Sequence, residues 1–132
     1  MEELCYNRLM EQAIKTLFET KEPQVYALYE QLIEMVRHAI GVFEIHPKKS
    51  SIHLHHGADF LGIHPKKKWL DINIVLDHPL EDPRLVHTDQ PSKNRYHNYL
   101  RLSDPEEIDA RLVEYLRDSY ALMSMRNGVN VG

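Results

Sequence analysis

The stretch SIHLHHGADFLGIHPKKKWLDINIVLD, Ser51 to Asp77, decides the fold. Within it Ser51–His56, Ala58–His64 and Trp69–Leu76 read as three consecutive strands, because apolar and polar residues alternate and tight connections separate the runs. A type II′ turn at Gly57-Ala58 sets Ile52 opposite Ile63 and Leu54 opposite Leu61. A four-residue loop, Pro65–Lys68, then sets Ile63 against Leu70 and Leu61 against Ile72, with Ile74 and Leu76 continuing that face. This face is the expected core. His53, His55, Phe60, Gly62, His64, Trp69, Asp71, Asn73 and Val75 fall on the other face. A bulge near Phe60 would flip part of that assignment.

Working outward toward the N-terminus, Val25, Leu28, Tyr29, Leu32, Val36 and Ile40 recur at helical spacing, with Pro23 at the helix start and Gly41 where a C-terminal cap belongs. A preceding helix, Glu3–Glu19, carries the stripe Leu4, Leu9, Ala13, Ile14, Leu17 and Phe18. Val42–Ile45 can form a short extended piece. The tetrad His46-Pro47-Lys48-Lys49 returns as His64-Pro65-Lys66-Lys67, each copy leading into a strand. Two copies are too few for a solenoid, which needs at least ~3.

Toward the C-terminus, Asp77–Asn94 holds Pro79, Pro83 and Pro91 and reads as a long irregular surface loop, mobile or a lid. Arg95–Leu102 is the fourth strand. Ser103-Asp104-Pro105-Glu106 is a capping-box start for a last helix with the stripe Ile108, Leu112, Tyr115, Leu116, Ser119 and Met123. That helix ends at Asn127-Gly128, beyond which the tail is expected to fray. The expected architecture is α+β: a four-stranded antiparallel meander with N-terminal helices and a C-terminal helix packed mainly on one face. Residues 1–132 are read as one domain.

At 132 residues the chain can bury a core without disulfides. No apolar run approaches the ~20 residues of a bilayer span, so a soluble protein without a membrane partner is expected. The start, Met1-Glu2-Glu3, is acidic where a secretory signal is basic, and the single Cys5, a small half-buried residue on the first helix, has no internal disulfide partner. A cytoplasmic location is consistent with both. A formal charge of −4 argues against a generic nucleic-acid binder while leaving room for a local basic patch.

The order of landmarks resembles a known family. Val25–Ile40 as a helix, Lys49 before a strand, Phe60-x-x-Ile63-x-Pro65 with Lys67 and Leu70, then Tyr96-His97, Arg101-Leu102 and Ser119-Tyr120-Ala121 are similar to the domain of unknown function 5655 family. The resemblance covers Thr16 to Ala121. It implies a compact α+β domain without a named activity, sometimes described as the C-terminal part of predicted transport proteins.

Three places invite chemistry. Because alternate strands of a meander run the same way, Lys48 and Lys49 lie at the same sheet end as Lys66, Lys67, Lys68 and Arg101, a basic rim suited to phosphate or carboxylate. Phe60 and Trp69 on the noncore face, beside His97 on the fourth strand, supply a platform on which bases stack. The bland counterpart is burial of these rings under the first helix or a partner subunit, and a ring found among the helix leucines removes the platform. His53 and His55 point the same way and can begin a metal site. Asp71 and His97 are too many strands away to complete it, so no metal or other cofactor is expected. Acid/base pairs drawn from Asp59 or Asp71 with Glu81, Asp82 or Asp89 are conceivable. Phosphate-loop, nucleophile-elbow and zinc-helix motifs are absent. The expected function is a non-catalytic binding module for an anionic ligand, such as single-stranded nucleic acid or a nucleotide, using Lys49, Phe60, Lys67, Lys68, Trp69, His97 and Arg101. The alternatives are a protein-interaction or homodimerisation module and, further off, a metal-dependent hydrolase.

Overall fold

A computed structural model describes the backbone of residues 2–126 and the side chains of residues 8–124. The placements expected for the Leu4 and Cys5 side chains, and for the helix end and tail from Asn127 onward, lie outside these described residues. Two helices, α1 (Glu2–Phe18) and α2 (Pro23–Ala39), precede the strands β1 (Glu44–Pro47), β2 (Ile52–His56), β3 (Ala58–Pro65), β4 (Leu70–Leu76), β5 (Leu85–Ser92) and β6 (Arg95–Leu102). A 3-10 turn (Pro105–Glu107) and α3 (Ala110–Arg126) complete the order. The strands form one antiparallel sheet in the order β1-β2-β3-β4-β6-β5. No helix among the described residues is long and apolar enough to cross a membrane.

The α+β class and the four-strand block stand, but the sheet has six strands. β1 adds the outer edge beyond β2, pairing Glu44 with His55 and His46 with His53. The Asp77–Asn94 segment is not a loop throughout, since half of it is β5, the opposite edge. Its prolines exclude a central strand but not an edge, whose outward N–H groups need no partner, and Pro91 sits in a register irregularity between Asp89 and Ser92. From the end of β4 the chain crosses to this edge by burying Leu80, whose N–H donates to Asn98 Oδ1 at 2.9 Å. Asn98 occupies a core row beside Ile74 and is fully buried, so bonding the crossover backbone satisfies its amide.

The core face carries Ile52, Leu54, Leu61, Ile63, Ile72, Ile74, Leu100 and Leu102, each fully buried. Against it pack α2 through Val25, Leu28, Leu32 and Val36 and α3 through Leu112, Leu116 and Met123. The pairs Ile52 with Ile63 and Leu54 with Leu61 form as expected. Between β3 and β4 the register is displaced by two, with Ile63 facing Ile72 and Leu61 facing Ile74. The reason is local: the closing turn runs from Lys66 to Trp69, bonded Lys66 N–H to Trp69 C=O at 2.8 Å, and Pro65 still belongs to β3. An even displacement keeps every side chain on its face.

One face assignment is overturned. Beyond the Leu54–Leu61 pair the register slips, and His55 faces Asp59. The extra residue is Phe60, and the bulge turns its ring inward, where it is fully buried. The ring meets Tyr120 of α3 edge-on, with centroids 5.0 Å apart, and the buried Ser119 hydroxyl donates to the Phe60 carbonyl at 2.7 Å. That bond supplies the partner a bulge removes from the ladder. Three landmarks of the family resemblance, Phe60, Ser119 and Tyr120, thus meet in a packing arrangement.

Two helix expectations also shift. On α1, Leu9 is 73% exposed and Ala13 is exposed, so the buried stripe is Ile14 and Phe18 with Met10 and Leu17 at its margin. After β6, the Ser103 and Asp104 N–H groups donate to Glu107 Oε1 at 2.6 and 2.9 Å, which caps the short 3-10 turn rather than α3. α3 starts later, where Asp109 accepts from the Leu112 N–H at 2.9 Å.

Candidate binding face of the sheet

Alternation places a second set of side chains on the face turned from α2 and α3. Six of the nine histidines stand there: His46, His53, His55, His64, His87 and His97. Rings follow one another across the strands. His53 meets His64 edge-on at 6.3 Å, His64 lies 6.1 Å from Tyr99, and His87 lies 5.8 Å from Tyr99. Gly62 leaves room for them, because a β-carbon there would stand 3.4 Å from His64 Nε2 and 3.7 Å from His53 Cε1. Partial burial, then the charges of His53 and Lys66, lower the pKa of His64, and burial alone lowers that of His97 despite the nearby Asp89 carboxylate.

At one end of this face the basic rim forms as expected. The β1–β2 and β3–β4 turns lie side by side, and Lys48, Lys49, Lys66, Lys67 and Lys68 are all exposed. None of them makes an ion pair among the described residues. The α1–α2 link closes against this rim through a 2.9 Å bond from the Glu22 N–H to the Lys67 carbonyl. Trp69 stands half-exposed at the same end, with the Arg101 guanidinium 4.3 Å from its ring centroid. Arg101 itself is held by Asp71 through Nε to Oδ1 at 2.9 Å and Nη2 to Oδ2 at 3.3 Å. Its charge is therefore matched internally while its guanidinium lies against the indole.

Phe60 does not share this surface. With its ring under α3, the two-ring platform is lost, and burial is the correct reading for that residue. Trp69 keeps the expected face. His97 lies farther along, its Nδ1 accepting from the Asn73 side-chain amide at 3.2 Å, and both border a concavity of about 410 Å³ with His53, His55, Asp59 and Val75. Asn73 is 8% exposed, and its buried Oδ1 has no hydrogen-bond partner among the described residues.

The β1–β3 side of the face holds a cluster whose full membership the sequence did not suggest, reaching from His46 and His53 near the lysine turn to His55 and Asp59 near Gly57. His55 Nδ1 lies 2.7 Å from Asp59 Oδ1, and His53 Nδ1 lies 3.1 Å from Asp59 Oδ2. The His46 ring stacks on His55 with centroids 4.9 Å apart, and His46 Nε2 lies 3.1 Å from Glu44 Oε1. Burial works to raise the Asp59 pKa, but the His55 hydrogen bond and the three imidazoles outweigh it, so the carboxyl sits below its ordinary value. Only His53 and His55 were visible in advance. His46 joins through β1, and Asp59 joins because the bulge sets it opposite His55 rather than His56. The one available hint was that β2 carries histidines at alternate positions, His53 and His55, next to the Gly57 turn.

The carboxylates weighed for acid/base chemistry have other partners. Asp71 holds Arg101, Asp82 holds Arg84 and Asp89 holds His87, while Glu81 is exposed. Among known proteins, the family described as "Domain of unknown function (DUF5655)" matches residues 14–123. Neither curated proteins nor solved structures provide a match.

Proposed function

From a chain that belongs to the DUF5655 family, whose description carries no activity, we propose a non-catalytic binding module that takes an anionic ligand at the lysine end of its helix-free sheet face. A single-stranded nucleic acid or nucleotide is the ligand class. Lys49, Lys67 and Lys68 meet phosphates, Trp69 stacks on a base with Arg101 bracing its far side, and His97 contacts the ligand farther along. The observation that carries this reading is the indole itself, a partly buried ring backed by a guanidinium at the sheet end where five exposed lysines make no ion pair among the described residues. Stacking tolerates any base, because every base has a π-face. Phe60 has no part in it. A homodimer across the same face is less well supported, because imidazoles and carboxylates are poor material for the apolar centre of an interface.

Trp69 is the only tryptophan, so its fluorescence reports the site without labels. Titration with a short oligothymidylate is expected to quench it. Three lysine–phosphate contacts at ~0.7 per contact give a log–log salt slope of about −2, hence roughly 20-fold weaker binding on going from about 50 to about 200 mM NaCl. Lys67→Ala and Lys68→Ala should each reduce the slope by about 0.7. Salt-independent quenching, or no quenching at low salt, removes the reading.

A further inference from the structure

Across β1, β2 and β3 on this face, from His46 beside the lysine-bearing β1–β2 turn to His55 and Asp59 beside the Gly57 turn, the geometry points to a binding site for a divalent first-row transition-metal ion, of which zinc best suits the donors, built by His46, His55 and Asp59. The site goes beyond the anion reading and does not depend on it. His55 stands three residues along β2 from Ile52, about 10 Å from the lysine-bearing turn.

Three successive strands deliver the donors. β1 places His46 beside β2 on the same face as His55, and the bulge in β3 brings Asp59 opposite His55. One potential ligand atom from each residue lies within 4.8 Å of the other two. Tetrahedral ligands at ~2.0–2.1 Å from zinc stand about 3.3 Å apart, so side-chain rotation alone closes the set. Two imidazoles and a carboxylate form a donor group that imidazole-binding metals accept, with at least one position left open.

The surroundings match what a metal site uses to hold its ligands. Glu44 engages His46 at 3.1 Å, and His53 engages the second Asp59 oxygen at 3.1 Å while its Nε2 reaches Ser51 Oγ at 3.1 Å. Such outer contacts fix ring orientation and commonly change metal affinity by ~10–100-fold. Side chains of His46, His55 and Asp59 are about one-third to two-fifths exposed, leaving a path for ion entry. The concavity beside His55 and Asp59 is where a further ligand of the ion can enter.

Isothermal titration of the tag-free, chelator-stripped full chain with zinc chloride tests the site. The expected result is one equivalent of zinc, weakened about 100-fold or more by His55→Ala and by Asp59→Asn, and unchanged by His38→Ala on the far helix. Thermal melts in chelator check that each variant is folded; if His55→Ala is not, His46→Ala on the edge strand takes its place with the same expectation. Absence of the one-equivalent isotherm overturns the proposal. So does retention of wild-type affinity in the cluster variants, or an equal loss in His38→Ala.

Discussion

Phe60→Ala is expected to lower the unfolding free energy by about 3–5 kcal/mol, the range for truncating a phenylalanine in a closed core. The ring is fully buried, and its edge-to-face contact with Tyr120 adds to what its area alone contributes. For a chain of this size such a loss corresponds to a fall in melting temperature of roughly 11–18 °C. Trp69→Ala, which removes a half-exposed ring from a turn, should cost much less. The oligothymidylate affinity of folded Phe60→Ala should match that of the wild type, while Trp69→Ala abolishes stacking. A Phe60→Ala protein as stable as the wild type but impaired in binding contradicts the inward placement of the ring.

Asp82→Ala is expected to cost about 3 kcal/mol, near the lower end for removing one partner of a buried ion pair. The Asp82 side chain is 1% exposed and that of Arg84 is 11% exposed. Arg84 donates Nε to Oδ1 at 2.9 Å and Nη2 to Oδ2 at 3.0 Å, and the Tyr115 hydroxyl donates to Oδ2 at 2.8 Å. The same guanidinium also reaches the Glu107 carbonyl and Asp109, so the group joins the β4–β5 crossover to the start of α3. Without the carboxylate, Arg84 keeps the Glu107 carbonyl and the half-exposed Asp109, which places the loss at that lower end. Hydrogen bonds from the Arg84 side chain, helped by its backbone N–H and by Tyr115 and opposed by burial, hold the Asp82 carboxyl far below its usual range. A depressed folded-state pKa stabilises above the unfolded value, near ~3.9, and that stability is lost as the pH falls toward the folded value. The gap between wild type and Asp82→Ala should therefore stay constant from about pH 5 to 8 and shrink below about pH 4. Denaturant titrations at several pH values measure it, and a loss under ~1 kcal/mol at neutral pH contradicts the clamp.

Much of the sheet was legible because alternation is a strong signal: Ile52, Leu54, Leu61, Ile63, Ile72 and Ile74 could occupy only one face. The helix stripes of α2 and α3 were equally plain. What could not be read was decided by tertiary pairing. β5 is polar and proline-bearing, and it is a strand because β6 offers it an edge. Four residues of β1 carry no pattern long enough to register, yet they bring His46 into the cluster. Leu9 follows the helical period but finds nothing to pack against. The Phe60 bulge had a recognised consequence but no sequence marker. It removed one expected stacking ring from the open face and put Asp59 among the histidines. The lysine rim and Trp69 were foreseeable, since they depend only on strand direction and parity.

The placement of Phe60 carries the account, because the same extra residue turns this ring toward α3 and Asp59 toward His55. Proton–proton cross-relaxation in the folded protein reads it directly. Cross-peaks from the Phe60 ring to the Tyr120 ring are expected, together with a backbone contact between His55 and Asp59 across the hairpin. Cross-peaks from the Phe60 ring to Gly62 and His53 instead, with His56 facing Asp59, would contradict it.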